Sequence, residues 1–410
     1  MLVTAAFVRT QTERERLHVD LRFARAVWLR HLQSQQKGNL MNAHPIRRAA
    51  VAAVVVAASA GASFQSEAAT PAGTIVFSRS QQDADANDRN RSLWLLDVGT
   101  GQARPLTTAT DRVFDMTATW APDGTALVFD RGSTRVRPDA RHALEFMTPD
   151  ASRPRTLLHG IGDFSKPAWG PSNRIAFVSK DRAGECVAIV DATGRNKRTL
   201  FCGGADTTFA RPQWSLDGKA LFVAGTLPEG RLEPIFHALA YRIDVATAKT
   251  TLMSDIIMGE PLELTFSPDG TRGVYADIVA NDMTLVDFRN GSLTTLPRGH
   301  APSWSHDGKR IAFTGEIYET GAEFRYYEPL YVMNADGTRV RRITDSRVNN
   351  HAYTAAQWSK DNVHLLMNRR TYSDVSLTRA NYALRIVDVD TRALLQLPAG
   401  YAEPGGWYER

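Results

Sequence analysis

The stretch Trp304-Ser-His-Asp-Gly308, followed by Ile311-Ala-Phe-Thr314, carries the pattern that decides the fold. In it, an aromatic residue and a small residue precede a polar turn, and a short apolar segment comes after the turn. The same phrase returns six times at intervals of 38 to 54 residues, a period typical of propeller blades. The copies begin at Trp120, Trp169, Trp214, Phe266, Trp304 and Trp358.

Each copy opens a unit that has the composition of four short strands. The Asp-Gly turn suits a tight reversal, because Asp bonds back to the backbone and Gly accepts a positive φ. We therefore expect the repeated Asp residues to form turns and the repeated aromatic residues to pack in the core. A four-stranded unit cannot bury both faces alone, so neighbouring units must pack around an axis. The sequence predicts an all-β fold, a β-propeller of four-stranded antiparallel blades.

The number of blades depends on the two ends of the repeat region. A further unit precedes the first motif, with strands predicted over 74–78, 93–97 and 103–107 but no first strand. The segment 402–408, with Gly405-Gly406-Trp407, has the composition of that missing strand. If it pairs with the first unit, the ring closes with seven blades, which we favour; six blades and a partial sheet are the alternative.

The phrase Trp-Ser-Pro-Asp-Gly followed by Ile-Ala-Phe resembles the repeat of the TolB-like propellers, a family with a WD40-like repeat. The resemblance covers about residues 74 to 408 and implies the propeller fold. TolB itself carries an α/β domain before its propeller, and we expect this chain to lack it. The same repeat occurs in propellers attached to prolyl-oligopeptidase-like hydrolases and in binding modules, so the resemblance alone does not select an activity.

The N-terminal 69 residues read as segments outside the propeller. Residues 41–69 have a basic start at Arg47-Arg48, an Ala/Val run and small residues at 66–69, the pattern of a cleaved signal peptide. We expect residues 1–40 to be an over-called translation start or a cytoplasmic extension, and residues 70–410 to be one propeller domain. The prediction is a periplasmic protein with no membrane span after cleavage.

The charge distribution argues against a nucleic-acid partner. The chain has 49 Lys and Arg against 44 Asp and Glu, a net charge of +5. Residues 1–68 hold nine basic and four acidic residues, which accounts for the whole excess. The remaining body is neutral and offers little long-range attraction to a phosphate backbone.

Both cysteines lie symmetrically about a predicted hairpin turn. Cys186 and Cys202 are 16 residues apart, with Gly194 at the midpoint, which places them opposite each other on paired strands. Cross-strand neighbours are within reach of a disulfide, and an exported protein meets oxidising conditions. We predict a disulfide, with two buried free thiols as the alternative.

Catalytic motifs are absent from the sequence. There is no Gly-x-Ser-x-Gly elbow and no His-Glu-x-x-His pattern, and no residues follow Arg410 to form a hydrolase domain, so we expect no peptidase and no cofactor. The equivalent positions of the repeats do not collect histidines, so no metal site is predicted. An asymmetric site at the channel mouth stays open, and its ligands would be Asp115, Glu260, His300 and His351.

Long loops on one rim supply the remaining candidates for function. They are rich in Arg and aromatic residues, which anchor interfaces: Arg135, Arg137, Arg231, His237, Tyr318, Phe324, Arg325, Tyr326, Tyr327, Arg369, Arg370 and Tyr372. The sequence predicts a monomeric, non-catalytic scaffold that binds an envelope protein or peptide through this rim. The alternatives are a metal-dependent lactonase or lyase acting at the channel mouth, and a glycan-binding module.

Overall fold

The structure is a computed structural model that describes residues 71–409 apart from 81–90, 109, 111–112, 134–141, 151–152, 162–164, 182–183, 230–234, 259–261, 278–281, 321–323, 345–350, 373–379 and 400–401. The predicted signal peptide and the segment before it therefore lie outside the described residues. Across the described ranges, no helix has the length and apolar character needed to cross a bilayer.

Seven antiparallel sheets follow one another along the chain, and each is a blade. Blade 1 contains β1 (Thr74–Ser80), β2 (Arg91–Asp97) and β3 (Ala103–Pro105). Blade 2 contains β4 (Val113–Trp120), β5 (Leu127–Ser133), β6 (His142–Met147) and β7 (Arg155–His159). Blade 3 contains β8 (Ala168–Trp169), β9 (Arg174–Asp181), β10 (Gly184–Asp191) and β11 (Arg198–Cys202). Blade 4 contains β12 (Thr208–Phe209), β13 (Gln213–Trp214), β14 (Ala220–Glu229), β15 (Ile235–Asp244) and β16 (Thr250–Met258). Blade 5 contains β17 (Leu262–Phe266), β18 (Arg272–Asp277), β19 (Asp282–Asp287) and β20 (Ser292–Leu296).

Blades 6 and 7 complete the series, and the last strand returns to blade 1. Blade 6 contains β21 (His300–Trp304), β22 (Arg310–Thr314), β25 (Leu330–Asn334) and β26 (Arg341–Arg342). Blade 7 contains β27 (His351–Trp358), β28 (His364–Tyr372), β29 (Ala380–Asp388) and β30 (Leu394–Ala399). A separate hairpin of β23 (Ile317–Thr320) and β24 (Phe324–Tyr327) is inserted between β22 and β25.

The chain ends close the ring through β31 (Ala402–Tyr408), which pairs antiparallel with β1. The indole of Trp407 donates a hydrogen bond to the Ala72 carbonyl at 3.0 Å, and the ring of Tyr408 lies 5.8 Å from that of Trp120 in blade 2. The prediction that residues 402–408 supply the missing first strand is confirmed, and so is the seven-bladed, all-β propeller.

The repeated Ser and Asp residues form the turn between the first and second strands. In blade 6, the Ser305 hydroxyl donates to Asp307 Oδ1 at 2.6 Å and accepts from the Arg310 N–H at 2.9 Å. The Lys309 N–H donates to the same Asp307 oxygen at 3.1 Å, and Gly308 takes a φ of +68°. These bonds satisfy the turn locally, so the repeated Asp residues act as turn-formers, as the sequence predicts.

Apolar side chains fill the spaces between neighbouring blades. One cluster joins Val76 and Leu95 of blade 1 to Leu127 and Phe129 of blade 2, and another joins blades 6 and 7. The repeated tryptophans contribute one further contact, because the Trp358 indole donates to the Ser303 carbonyl of the preceding blade at 3.0 Å. The apolar faces of each blade are therefore buried only when the neighbouring blades are present.

Cys186 and Cys202 face each other on β10 and β11, the register that the sequence predicts. Their Sγ atoms form a disulfide, with the two Cα atoms 4.1 Å apart. This disulfide joins the third and fourth strands of blade 3.

The propeller has two rims with different chemistry. On one, which we call the turn rim, lie the motif turns, Ser305–Gly308 among them. On the other, which we call the loop rim, first strands such as β27 begin at His351 and second strands such as β28 end at Tyr372. The first strands of neighbouring blades contact one another, which places them nearest the axis, so polar residues at their beginnings lie at the inner part of the loop rim.

Candidate functional site

A β-bulge shapes the beginning of the first strand in several blades. The register shifts between His300 and Ser303 in blade 6 and between Met116 and Thr119 in blade 2. The residue in the bulge has a positive φ, 49° at Ala301. Bulges bend a strand and redirect its side chains, and this one separates the apolar core half of the strand from the polar half at the loop rim.

Glu328 is held by main-chain hydrogen bonds at the inner edge of blade 7. Its N–H donates to the His351 carbonyl at 3.3 Å, and its carbonyl accepts from the Tyr353 N–H at 2.9 Å. Residue 328 thereby pairs with Ala352 as an isolated parallel bridge. The insertion between β22 and β25 therefore brings a buried carboxylate to the beginning of β27.

Around this carboxylate lies a charged group that we call the His300 cluster, consisting of Glu263, His300, Glu316, Glu328 and Arg370. Glu328 Oε1 lies 3.7 Å from His300 Nε2, and Glu328 Oε2 lies 3.1 Å from Arg370 Nη2. The side chains of His300 and Glu328 are 13% and 7% exposed. Glu263 accepts a hydrogen bond from the Ala301 N–H at 3.0 Å.

The donor atoms of His300, Glu316 and Glu328 all lie within 4.8 Å of one another, the one such group of three among the described residues. One imidazole nitrogen and two carboxylate oxygens form a donor set that a divalent cation can use. The carboxylates of Glu316 and Glu328 can also accept hydrogen bonds from an organic ammonium group, because an ionised carboxylate has about four acceptor sites on its two oxygens.

The electrostatics of the cluster favour a protonated His300. Burial by itself lowers the pKa of this imidazole, but its contact with Glu328 and the charges of Glu328, Glu316 and Glu263 outweigh burial and raise the pKa above its ordinary value. His351, on the next first strand, behaves in the opposite way. Burial and then the charges of Arg369 and Arg385 lower its pKa to about 4.

Blade 2 carries a second set of buried polar side chains at the loop rim. Asp115 is fully buried and receives two hydrogen bonds from Arg131, at 2.6 and 2.8 Å. Asp130, also fully buried, contacts His142 Nδ1 at 2.5 Å and accepts from the Ser165 N–H. Since Ser165 belongs to the segment before blade 3, these contacts join blades 2 and 3.

The residues predicted for a metal site are therefore distributed over different blades. Only His300 belongs to the group with converging donor atoms, and Asp115 is engaged by Arg131 in blade 2. The His351 ring lies against Tyr353, with the ring centroids 6.1 Å apart. Glu260 lies outside the described residues.

The predicted binding residues on the loop rim also have varied positions. Arg370 belongs to the His300 cluster, His237 Nδ1 contacts Asp255 at 2.8 Å, and Tyr327 is a core residue with 1% exposure. Three lie outside the described residues: Arg135, Arg137 and Arg231. In the inserted hairpin, Tyr318 pairs with Tyr326, and Phe324 and Arg325 pair with residues 320 and 319. Tyr372 is the last residue of β28.

Sequence reasoning missed Glu263, Glu316, Glu328 and Arg385. The only available signal was position, because Glu316 follows β22 directly and Glu328 precedes β25. Neither position lies in the repeated phrase, and the comparison of equivalent repeat positions therefore passed over both.

Known proteins resemble this chain in sequence or in fold. No family model matches it. It is 27% identical to the uncharacterized peptidase YuxL of Bacillus subtilis over 229 residues, 52% of this chain and 31% of that protein. Among solved structures, puromycin hydrolase matches with a TM-score of 0.58 and 15% identity, over 81% of this chain and 53% of that one. TolB from Acinetobacter baumannii matches with a TM-score of 0.43 and 17% identity, over 80% of this chain and 81% of that one.

These relatives correct the function predicted from the sequence. The prediction of a non-catalytic scaffold, and with it the exclusion of a peptidase, is wrong, because the curated relative carries the name of a peptidase and puromycin hydrolase shares the fold. The missing Gly-x-Ser-x-Gly elbow misled the prediction, since the similarity lies in the propeller.

The chain spans about a third of the length of YuxL and about half of puromycin hydrolase. What it shares with puromycin hydrolase is the fold. The closed ring of seven antiparallel blades makes this chain a seven-bladed β-propeller, and its six Trp-Ser-Pro-Asp-Gly-type repeats resemble those of the TolB-like propellers.

Proposed function

We propose that this chain acts in peptide hydrolysis, with the propeller holding a short peptide at the loop rim. The named peptidase among its relatives supports the class of reaction. The fold supports the location, since ligands of propellers enter at the ends of the central channel, where the first strands begin.

The observation that carries this proposal is the His300 cluster. The charges of three carboxylates, those of Glu263, Glu316 and Glu328, act on His300, and the guanidinium of Arg370 faces Glu328. Even with His300 protonated, the carboxylates of the cluster outnumber its cations. A peptide with a free N-terminus carries an α-ammonium group with three N–H donors. Charge-assisted hydrogen bonds between ammonium and carboxylate groups are short and strong when both are partly removed from water. The cluster therefore suits the amino end of an unblocked peptide.

A peptide-binding test uses the full chain and two ligands that differ only at the amino end. Tetra-alanine and N-acetyl-tetra-alanine are titrated calorimetrically, and mass spectrometry of the mixtures records any cleavage products. We expect tetra-alanine to bind at least about tenfold more tightly, the effect of one charge-assisted hydrogen-bonding group. Failure of the chain both to bind and to cleave the unblocked peptide would overturn the proposal.

Two variants connect the binding to the cluster. Glu328→Gln removes the charge but keeps the shape, and we expect it to weaken tetra-alanine binding while leaving the N-acetyl peptide unchanged. Asp390→Asn is the matched control, because Asp390 is 66% exposed and pairs with Arg341 at the turn rim. Glu316→Gln provides a second test if Glu328→Gln lowers the melting temperature by itself.

We also propose that the protein works in the periplasm as a monomer. The signal-peptide pattern of residues 41–69 supports export, and the disulfide between Cys186 and Cys202 suits an oxidising compartment. Cell fractionation, with intact-mass analysis of the recovered protein, tests both the compartment and the start of the mature chain. Recovery of a species that includes Met1 would contradict cleavage.

A further inference from the structure

Two arginines lie on the same face of blade 7, beside the His300 cluster. Tyr353 of β27 lies opposite Arg369 of β28, and Met367, two residues before Arg369, lies opposite Arg385 of β29. Side chains of alternate residues point to the same side of a sheet. The side chains of Tyr353, Arg369 and Arg385 therefore share one face, which we call the arginine face.

Arg385 is almost completely buried, with 4% of its surface exposed. Its Nη1 donates to the main-chain carbonyls of Leu384 and Leu397, at 2.7 and 3.3 Å, but its buried Nε has no acceptor. Arg369 is half-buried, and its Nε is also buried without an acceptor. Within the described part of the chain, neither guanidinium forms an ion pair with a carboxylate.

The neighbouring Arg370 shows the contrast. It points to the opposite face of β28, where Glu328 balances its charge at 3.1 Å. Among the described residues, no such carboxylate pairs with the arginines of the arginine face, and burial and then the charge of Arg369 lower the pKa of Arg385. His351 lies on this face as well, two residues before Tyr353, and adds no negative charge. Charged groups are rarely buried without a partner, because removal from water is strongly unfavourable.

We propose that the arginine face binds a carboxylate group, and that this group is the C-terminal carboxylate of the peptide. The planar N–H forks of guanidinium groups match the two oxygens of a carboxylate, and the Nε–H groups of Arg369 and Arg385 have no acceptor among the described residues. The choice of a peptide as the source rests on the proposed function; the carboxylate chemistry rests on the two arginines alone.

The position of the face fits the two ends of one short ligand. The main-chain N–H of Tyr353, on the arginine face, donates a hydrogen bond to the carbonyl of Glu328 in the His300 cluster. The carboxylate of Glu328 therefore lies at the inner edge of β27, and the two arginines lie on the following strands of the same blade. A short unblocked peptide has the complementary charges at its two ends. This arrangement selects peptides of limited length, because both ends must reach their partners together.

The test separates the carboxylate from the amino end. N-acetyl-Ala-Ala has a free carboxylate and no α-ammonium group, and its C-terminal amide has neither. With the full chain, we expect N-acetyl-Ala-Ala to raise the melting temperature and to give a binding isotherm, and the amide to do neither. Inorganic phosphate is the third ligand. If phosphate stabilises the protein and the carboxylate does not, or if no ligand has an effect, the proposal is overturned.

Variants of the half-buried Arg369 test the assignment without altering Arg385, which is almost completely buried. We expect Arg369→Met to weaken N-acetyl-Ala-Ala by at least about tenfold without lowering the melting temperature of the free protein, because it removes a cation that faces another cation. Arg369→Lys keeps the charge but loses the fork and should also bind more weakly. Arg341→Met, at the turn rim, is the control. Unchanged binding in Arg369→Met and Arg369→Lys would overturn the assignment.

Glu328→Gln distinguishes this inference from the proposed function. This substitution should weaken the binding of tetra-alanine and leave the binding of N-acetyl-Ala-Ala unchanged. If tetra-alanine neither binds nor is cleaved while N-acetyl-Ala-Ala still binds through Arg369, the proposed function fails and the carboxylate site stands. If tetra-alanine binds or is cleaved, but the Arg369 variants bind N-acetyl-Ala-Ala as tightly as the wild type does, the carboxylate site fails and the proposed function stands.

Discussion

The guanidinium of Arg310 in blade 6 lies over the indole of Trp358 in blade 7, with its central carbon 5.0 Å from the ring centroid. The same guanidinium donates a hydrogen bond to the carbonyl of Asn362 in the motif turn of blade 7. The contact recurs between other blades, with Arg174 over Trp214 at 5.3 Å and Arg272 over Trp304 at 5.0 Å. Each arginine follows the motif turn of one blade and joins it to the motif of the next.

Loss of this contact should weaken the ring. Arg310→Met keeps an apolar stem over the indole but removes the cation–π attraction and the hydrogen bond to Asn362. We expect the free energy of unfolding to fall by roughly 1–2 kcal/mol, measured by urea denaturation. Lys309→Met is a matched control one residue away, because the Lys309 side chain is 80% exposed. Equal effects of the two substitutions would contradict an inter-blade role.

Closure of the ring depends on Gly124. Its φ is +70°, and a Cβ there would lie 2.1 Å from Cζ of Tyr408 on the closing strand. Gly101 has nearly the same φ, +68°, and a Cβ there would meet nothing within 4 Å. We expect Gly101→Ala to cost about 1 kcal/mol from the backbone alone and Gly124→Ala to cost clearly more in thermal unfolding. The combination of Gly124→Ala with Tyr408→Ala should recover part of the difference, and no recovery would contradict the steric explanation.

The disulfide should contribute measurably to stability. Cys186 and Cys202 are 16 residues apart in sequence. Closing a loop of that size lowers the entropy of the unfolded chain and thereby raises its free energy by about 3 kcal/mol at room temperature. We expect dithiothreitol to lower the melting temperature of the wild type and to leave the double variant Cys186→Ala, Cys202→Ala unaffected. Thiol titration of the denatured, unreduced protein should find none; two reactive thiols per chain would contradict the disulfide.

His351 should make stability depend on pH. Its pKa is about 4 in the folded protein against 6.5 ordinarily, because of burial and then the charges of Arg369 and Arg385. The unfolded chain therefore binds a proton in the range where the folded chain does not, so stability is full above about pH 6.5 and falls as the pH decreases toward 4. Urea midpoints across this range should decline less in His351→Gln than in the wild type.

The blades were predictable because their signals are local. The turn of Ser305, Asp307 and Gly308 satisfies its own hydrogen bonds within six residues, so the sequence alone identifies it wherever it recurs. The closing strand was predictable for a related reason, since a unit without a first strand at one end and a spare aromatic segment at the other complement each other.

The His300 cluster and the arginine face were not predictable in the same way. Glu328 reaches the inner edge of blade 7 because the insertion after β22 folds back along β27, and nothing in its own segment indicates that pairing. In the sequence, Arg385 is one polar residue in an apolar strand. The absence of a carboxylate beside it, among the described residues, depends on residues of three strands. Such relationships arise only when the blades are assembled.

Pairing of β1 with β31 has a consequence for the order of events in synthesis. The first blade of the ring to leave the ribosome is the last to be completed, because its inner edge has no partner until residues 402–408 have been made. Each of the other blades takes all of its strands from one continuous stretch of chain, so none of them has to wait for β31. Until β31 has been made, the sheet of blade 1 has an open edge.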